Sequence, residues 1–213
     1  MVHPTIAAIA GGSRTYGKGN IVFFQGEAPR SAFVVNQGAI QVYAIDDEGD
    51  MYIVGFYTEG DVFPLDWLYD RSSATTFYYE SLAQSELSPI EKSSFQAARN
   101  SELDTLMTEQ LIREATSGQI RNLALQQARA RDKIIYFFYF LAIRHGKELT
   151  AGLYSLGIPL THQTIANCLG LTRETVATEL GALKRAGTVA YRNKKYVVDK
   201  RMVIKAVGKE ISL

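Results

Sequence analysis

Short apolar runs separated by polar, glycine-containing turns fill the chain from Tyr16 to about Ile90. Runs of strand length that are joined by turns about every ten residues are typical of an antiparallel sandwich or barrel. The predicted strands cover residues 21–24, 32–35, 40–45, 51–57, 75–83 and 87–90.

The pattern changes between about Phe95 and Arg131, where proline is absent and helix-forming residues dominate. An apolar stripe at partly helical spacing predicts one long helix. A helix of this length cannot pack fully on a small barrel, so the helix of a second copy of the chain is expected to cover the stripe, although packing on the barrel is the alternative for part of it. Gly118 marks either a close approach of two helices or a break. The predicted dimer contacts are Leu103, Leu106, Met107 and Leu111.

Ten consecutive apolar or aromatic residues follow at 134–143. A membrane-spanning helix needs about 20 such residues, so a buried helix is predicted instead. No basic amphipathic face accompanies the run, which disfavours binding at a membrane surface. The N-terminus lacks the basic and apolar regions of a signal peptide, so a cytoplasmic location is expected.

Two short helices joined by a glycine are predicted within residues 158–187. Thr161 and Thr172 are placed to cap them, because a threonine hydroxyl accepts a hydrogen bond from an amide of the first helical turn. Gly170 supplies the left-handed backbone that ends the first helix. Two helices joined in this way form a helix-turn-helix, whose second helix enters the major groove of DNA.

The end of the chain is basic, whereas the rest is acidic. Residues 1–146 hold 12 Lys and Arg against 17 Asp and Glu, a net charge of −5, and residues 147–213 hold 11 against 5, a net charge of +6. Apolar runs at 188–191 and 195–198 flank basic residues and predict a β-hairpin with a basic tip. A helix-turn-helix followed by such a hairpin is a winged helix, and the positive charge predicts double-stranded DNA as its partner.

Each part of the predicted winged helix has an expected contact with DNA. Arg173 and Glu174 open the second helix and are expected to read base edges, since arginine recognises guanine and glutamate accepts from cytosine. The lysines and arginines farther out are expected to meet phosphates, which position the protein without specifying sequence. The predicted DNA-binding residues are Thr161, Gln163, Thr172, Arg173, Glu174, Ala177, Thr178, Lys184, Arg185, Lys194 and Lys195.

Patterns that indicate catalysis or metal binding are weak. Residues 12–19 match a phosphate-binding loop except at the final Ser/Thr position, and a predicted strand rather than a helix follows, which favours a simple turn. Cys168 is the single cysteine, and it is interpreted as a small buried hydrophobe. No nucleophile elbow is present, so an enzyme is not expected. A single cysteine cannot hold an iron–sulfur cluster, and no cofactor is expected. Metal sites are disfavoured because only three histidines occur, all far apart, at His3, His145 and His162.

The chain resembles the Crp/Fnr family of bacterial transcription factors (cyclic-AMP receptor and fumarate–nitrate regulators) over nearly its whole length. Residues 161–176 are similar to that family's DNA-reading motif almost position by position. The resemblance implies an α+β protein and a homodimer on an inverted-repeat operator, with RNA polymerase as a further partner. The implied domains are an antiparallel β-roll sensor at 1–98, a dimerisation helix and hinge at 99–129, and a winged helix-turn-helix at 130–213.

The sensor departs from the members of that family that bind cyclic AMP. Those members carry a Gly-Glu-Leu segment and a later Arg-Ser pair, whereas this chain has Pro64-Leu65-Asp66 and Thr75-Thr76 at the matching positions. An Arg-Ser pair at 71–72 comes about five residues early. A buried cyclic phosphate would lack its charge partner, so tight binding of cyclic AMP is not expected and the effector is unknown. The alternative function is a ligand-binding or scaffolding β-roll protein whose basic end binds an acidic partner other than nucleic acid.

Overall fold

The structure, a computed structural model, describes residues 1–193, 195–199, 201 and 204. The chain divides into two compact units, Met1–Leu111 and Ile112–Leu213. The predicted domain limits at residues 98 and 129 stay a prediction.

The first unit is a β-roll of two antiparallel sheets. Its strands are β1 (Arg14–Tyr16), β2 (Ile21–Phe23), β3 (Ala32–Gln37), β4 (Ala39–Ile45), β5 (Met51–Thr58), β6 (Val62–Phe63), β7 (Tyr78–Ser81) and β8 (Ser85–Ile90). Its short helices are α1 (Pro4–Ala7), α2 (Leu65–Leu68) and α3 (Lys92–Ala98). The sheet orders are β1-β8-β3-β6 and β2-β7-β4-β5. Observed strands overlap all six predicted ranges, whereas β1, β6 and α1 to α3 were not predicted as separate elements.

Aromatic side chains fill the β-roll because alternate residues of each strand point to the same face. The rings of Phe63 and Tyr79 stack with their centroids 5.3 Å apart, and Phe23 meets Tyr79 edge-on at 5.7 Å. Gly38 joins β3 to β4 at φ +98°, where a Cβ would lie 2.7 Å from the Cα of Ser85. Only glycine fits this turn without displacing the neighbouring strand.

The long helix α4 (Ser101–Gln126) is shorter than the predicted helix. Arg99 has extended backbone, which separates α4 from α3, and the side chain of Asn100 accepts a hydrogen bond from the Leu103 amide at 2.9 Å. This Asn100 cap starts α4. Gly118 lies inside the helix without breaking it, and beyond the adjoining backbone of its own helix a Cβ placed there would meet no atom of the described residues within 4 Å.

Two of the predicted dimer contacts are covered within the chain. Leu103 and Met107 are each 1% exposed and pack with Trp67 and Phe95 in the core of the first unit. The expectation that the helix of a second copy covers these two residues is therefore wrong, and the alternative of packing on the barrel applies to them, because the first turns of α4 pack on the β-roll. Leu106 is partly buried against the same core, whereas Leu111 is 46% exposed.

The second unit contains the predicted buried helix and winged helix. Its elements after α4 are α5 (Ala130–His145), β9 (Gly146–Thr150), β10 (Leu153–Leu156), α6 (His162–Leu169), α7 (Arg173–Arg185), β11 (Val189–Arg192) and β12 (Lys195–Asp199). Eight residues of α5 are buried, which confirms the prediction for the apolar run. The strands order as β11-β12-β10-β9, so the predicted hairpin of β11 and β12 extends into a larger sheet that the sequence did not predict. Within the described residues, no helix combines the length and the apolar character needed to cross a membrane.

Candidate nucleic-acid interface

The helix α6 begins and ends where the sequence predicts. The hydroxyl of Thr161 accepts a hydrogen bond from the Thr164 amide at 3.0 Å, and Gly170 ends the helix with φ 60° and ψ 45°. A threonine cap contributes about 1 kcal/mol of stability, and the left-handed glycine turns the chain without a steric cost. Both features hold the turn that places the next helix.

The helix α7 separates a buried face from an exposed one. The hydroxyl of Thr172 accepts from the Thr175 amide at 3.2 Å and caps the helix. The apolar face of Val176, Leu180 and Leu183 is buried, at 0–1% exposure. The other face is exposed, and it carries the predicted base-reading residues Arg173, Glu174, Ala177 and Thr178.

The remaining predicted DNA contacts also lie at the surface. Thr161, Gln163, Lys184, Arg185 and Lys195 are all exposed. Lys194 lies outside the described residues. The structure therefore gives each described residue of the predicted set access to a macromolecule, and their contacts with DNA stay a prediction.

Lys184 lies against two tyrosine rings, a contact that the sequence did not predict. Its Nζ lies 5.4 Å from the ring centroid of Tyr191 and 5.6 Å from that of Tyr196, within reach of a cation–π interaction with each ring. The two rings meet each other at a centroid distance of 4.9 Å. The end of α7 is thereby attached to the hairpin of β11 and β12, which we call the wing.

A cleft of about 340 Å³ lies between α6, α7 and the wing, and we call it the wing cleft. His162 belongs to this cleft and was missed from the predicted set, although it stands between Thr161 and Gln163 in the sequence. Burial, and then the nearby Lys184 and Arg173, lowers the pKa of His162 below its usual value. The residues lining the wing cleft are Leu160, Thr161, His162, Gln163, Arg173, Lys184, Tyr191 and Tyr196.

The C-terminal end of α6 is held by a side chain of α4. The guanidinium of Arg121 donates to the backbone carbonyl of Cys168 at 3.3 Å, which places a cation at the negative end of the helix dipole. The Cys168 thiol is buried, and its burial raises its pKa to about 12. Cys168 is therefore a small core residue and not a reactive thiolate, which agrees with the interpretation from the sequence.

Known proteins are similar to this chain along most of its length. Residues 13–102 match the family model of the cyclic nucleotide-binding domain, and residues 132–205 match that of the Crp-like helix-turn-helix domain. Electron transport regulator A of Shewanella oneidensis is 30% identical over 193 residues, which cover 85% of this chain and 72% of that protein. The fumarate and nitrate reduction regulatory protein of Salmonella typhi is 26% identical over 197 residues, which cover 90% of this chain and 76% of that protein. The chain belongs to the Crp/Fnr family.

A solved structure agrees with this Crp/Fnr architecture. FixK2 from Bradyrhizobium japonicum has the same fold with a TM-score of 0.76 at 20% identity, covering 96% of this chain and 100% of that one. The family assignment confirms the predicted fold class, with an N-terminal cyclic nucleotide-binding domain, a long helix and a C-terminal helix-turn-helix. It also makes the chain a DNA-binding transcriptional regulator, and its relatives are transcriptional regulators as well.

The β-roll of this Crp/Fnr regulator uses Thr75 to close a loop. The Thr75 hydroxyl donates to the Phe24 carbonyl at 2.6 Å, and its backbone pairs with Gly26 and Glu27. Thr75 is 3% exposed, so its hydroxyl serves the fold. Arg71, whose guanidinium precedes the Thr75 position in the sequence, is exposed.

Proposed function

We propose that this Crp/Fnr regulator binds an inverted-repeat operator as a homodimer and that cyclic AMP is not its tight-binding effector. The observation that carries the proposal is the division of α7 into a buried apolar face and an exposed face that begins with Arg173 and Glu174. A capped, rigid helix that presents an arginine and a glutamate at its first turn suits the edges of a G·C step in the major groove.

The homodimer is supported by an exposed stripe on α4. Leu111 is 46% exposed and Ile112 is 58% exposed, and Ala115 follows on the same side of the helix. Gly118 continues the stripe with open space around it, which suits the close approach of a second helix. This stripe replaces Leu103 and Met107 as the proposed contact between the two copies, and Leu111 remains from the predicted set. A two-fold dimer then presents two copies of α7 to the two halves of an inverted repeat.

The resemblance to the family supports the remaining parts of the proposal. It supports RNA polymerase as a protein partner and the cytoplasm as the place of action. It also supports a protein that has no catalytic activity and binds no cofactor. The competing function, a scaffold or ligand-binding β-roll that binds another acidic partner, requires no sequence preference on DNA. The two therefore differ in what they predict for duplexes of different sequence.

Selection of bound duplexes from a random DNA library tests the proposed function. We expect the selected sites to contain two related half-sites in inverted orientation, centred about one helical turn apart. The affinity for such a site should fall linearly with salt in a log–log plot, and it should exceed the affinity for random duplexes at the same salt by at least about a thousandfold. Equal affinity for all duplexes would contradict the proposal and favour the competing function.

A further inference from the structure

The charged side chains that line the wing cleft are basic. The charged side chains of Arg173 and Lys184 reach the cleft from α7, the titratable ring of His162 reaches it from α6, and no carboxylate of the described residues lines it. Among the described residues, neither Arg173 nor Lys184 forms a salt bridge. The cleft therefore combines concentrated positive charge with space for a small anionic group.

The proposed function brings such anionic groups to this face of the molecule. A helix in the major groove lies between two phosphate backbones, and the exposed residues at the ends of its helix-turn-helix contact them. Thr161 and Gln163 flank His162 at the first turn of α6, where the positive end of the helix dipole also favours an anion. When Arg173 enters the major groove of DNA, the phosphates that flank this groove therefore come to the opening of the wing cleft.

We propose that the wing cleft seats a backbone phosphate of bound DNA and that His162 takes up a proton as the phosphate enters, so that DNA binding strengthens as the pH falls. This inference rests on the proposed function. The proton comes from the solvent and adds to the unprotonated ring nitrogen of His162, and no other covalent bond changes. The charged imidazolium then donates from both of its nitrogens.

The surroundings of His162 explain why its charge depends on the phosphate. In the free protein, burial and the neighbouring Lys184 and Arg173 lower its pKa below 6.5, so the ring is neutral near pH 7. A seated phosphate offsets the repulsion from the two cations and favours the imidazolium form. From the wing, the phenols of Tyr191 and Tyr196 line the same cleft, and burial raises the pKa of Tyr196 to about 12. The other polar lining residues of α6, Thr161 and Gln163, do not titrate in this range.

Binding of the full chain to fluorescently labelled duplexes between pH 6 and pH 8, at constant ionic strength, tests this inference. One duplex carries the selected operator and the other a scrambled sequence, since a phosphate contact acts on both. For the wild type we expect both affinities to rise about tenfold from pH 8 to pH 6, as expected when binding is linked to proton uptake. The affinities of His162→Gln should change less than twofold over this pH range. His162→Arg should bind both duplexes tightly at every pH. The control His3→Gln, which removes an exposed histidine of the first unit, should behave as the wild type.

The possible failures of this experiment separate the two proposals. Absence of any preference for the selected duplex at every pH would contradict the proposed function. Operator binding without a pH dependence, or with the same dependence in His162→Gln, would overturn the role of His162 and leave the proposed function intact. Proton NMR of the wild-type imidazole provides a second measurement that needs no variant. At pH 7 its C2 proton should shift to the imidazolium position when the duplex is added, and an unchanged shift would overturn the inference.

Discussion

The side chain of Gln110 forms two hydrogen bonds with the backbone of Val62. Its oxygen accepts from the Val62 amide at 2.9 Å, and its nitrogen donates to the Val62 carbonyl at 2.8 Å. Val62 belongs to β6, the last strand of its sheet, so these bonds satisfy backbone groups that no further strand of the described residues pairs. Both residues are at most 2% exposed, which makes the pair a buried connection between α4 and the β-roll.

Loss of the Gln110 side chain should destabilise the first unit. Gln110→Ala leaves two backbone groups buried without partners, so the free energy of unfolding should fall by about 1–3 kcal/mol or more in urea denaturation. The matched control is Thr108→Ala, two residues away at an exposed position of the same helix. The control should stay within about 0.5 kcal/mol of the wild type. Equal effects of the two substitutions would show that the Gln110 hydrogen bonds do not stabilise the fold.

Glu174 should contribute to sequence recognition and Lys195 to general affinity. Glu174→Ala should weaken binding to the selected operator by about 1–3 kcal/mol and affect a scrambled duplex much less, because a side chain that reads a base acts only at its own base pair. Lys195→Ala should weaken both duplexes about equally and reduce the salt slope by about one for each phosphate that Lys195 neutralises. Equal weakening of both duplexes by Glu174→Ala would rule out α7 as the helix that reads bases.

The exposed stripe of α4 should control dimerisation. Leu111→Asp and Ile112→Asp place a charge in the proposed contact, so each should shift sedimentation at micromolar concentration from dimer towards monomer. Leu111→Met and Ile112→Leu keep the surface apolar and should remain dimeric. A wild-type monomer that binds the operator tightly would contradict the proposed homodimer.

Calorimetry should detect no tight binding of cyclic AMP. The dissociation constant should be higher than micromolar, because Thr75 closes a loop and Arg71 is exposed. A buried cyclic phosphate without a guanidinium partner would lose a strong charge-assisted hydrogen bond. A micromolar or tighter constant would contradict this prediction, and Arg71→Ala would then test whether Arg71 is the missing partner.

The stability of the chain should decline in mild acid because of His145. Burial, with Arg144 nearby, holds the pKa of His145 well below 6.5, so the folded state keeps the ring neutral. The unfolded chain binds a proton below about pH 6.5, and its share of the population therefore rises as the pH falls through that value. The free energy of unfolding should thus be highest above pH 6.5 and decrease towards pH 5. His145→Gln should flatten this decline, whereas His3→Gln should preserve it, and an unchanged slope in His145→Gln would exclude His145 as its source.

Much of the candidate interface follows from short-range rules. Thr161, Gly170 and Thr172 act on residues one to four positions away, so their effects can be predicted without knowledge of the fold. The exposed face of α7 follows equally from the spacing of its buried residues, Val176, Leu180 and Leu183. The likeness of residues 161–176 to the DNA-reading motif likewise depends on neighbouring residues alone.

Other features depend on residues that are far apart in sequence. Gln110 bonds to a residue 48 positions earlier, and Arg121 to a carbonyl 47 positions later. His162 gains its cationic neighbours only when Lys184, near the end of α7, is brought to the start of α6. The spacing of apolar residues along one helix does not show which distant residues the side chains of that helix will contact.

The sequence by itself therefore determined six strands of the β-roll, the capped helix-turn-helix and the apolar helix α5, because each depends on a local pattern. Only the tertiary structure decided which apolar residues of α4 are covered. Leu103 and Leu111 have the same character in sequence, yet Leu103 is 1% exposed and Leu111 is 46% exposed. The physical reason is that burial depends on the surface that packs against each position, and the β-roll supplies that surface to Leu103 but leaves Leu111 largely exposed.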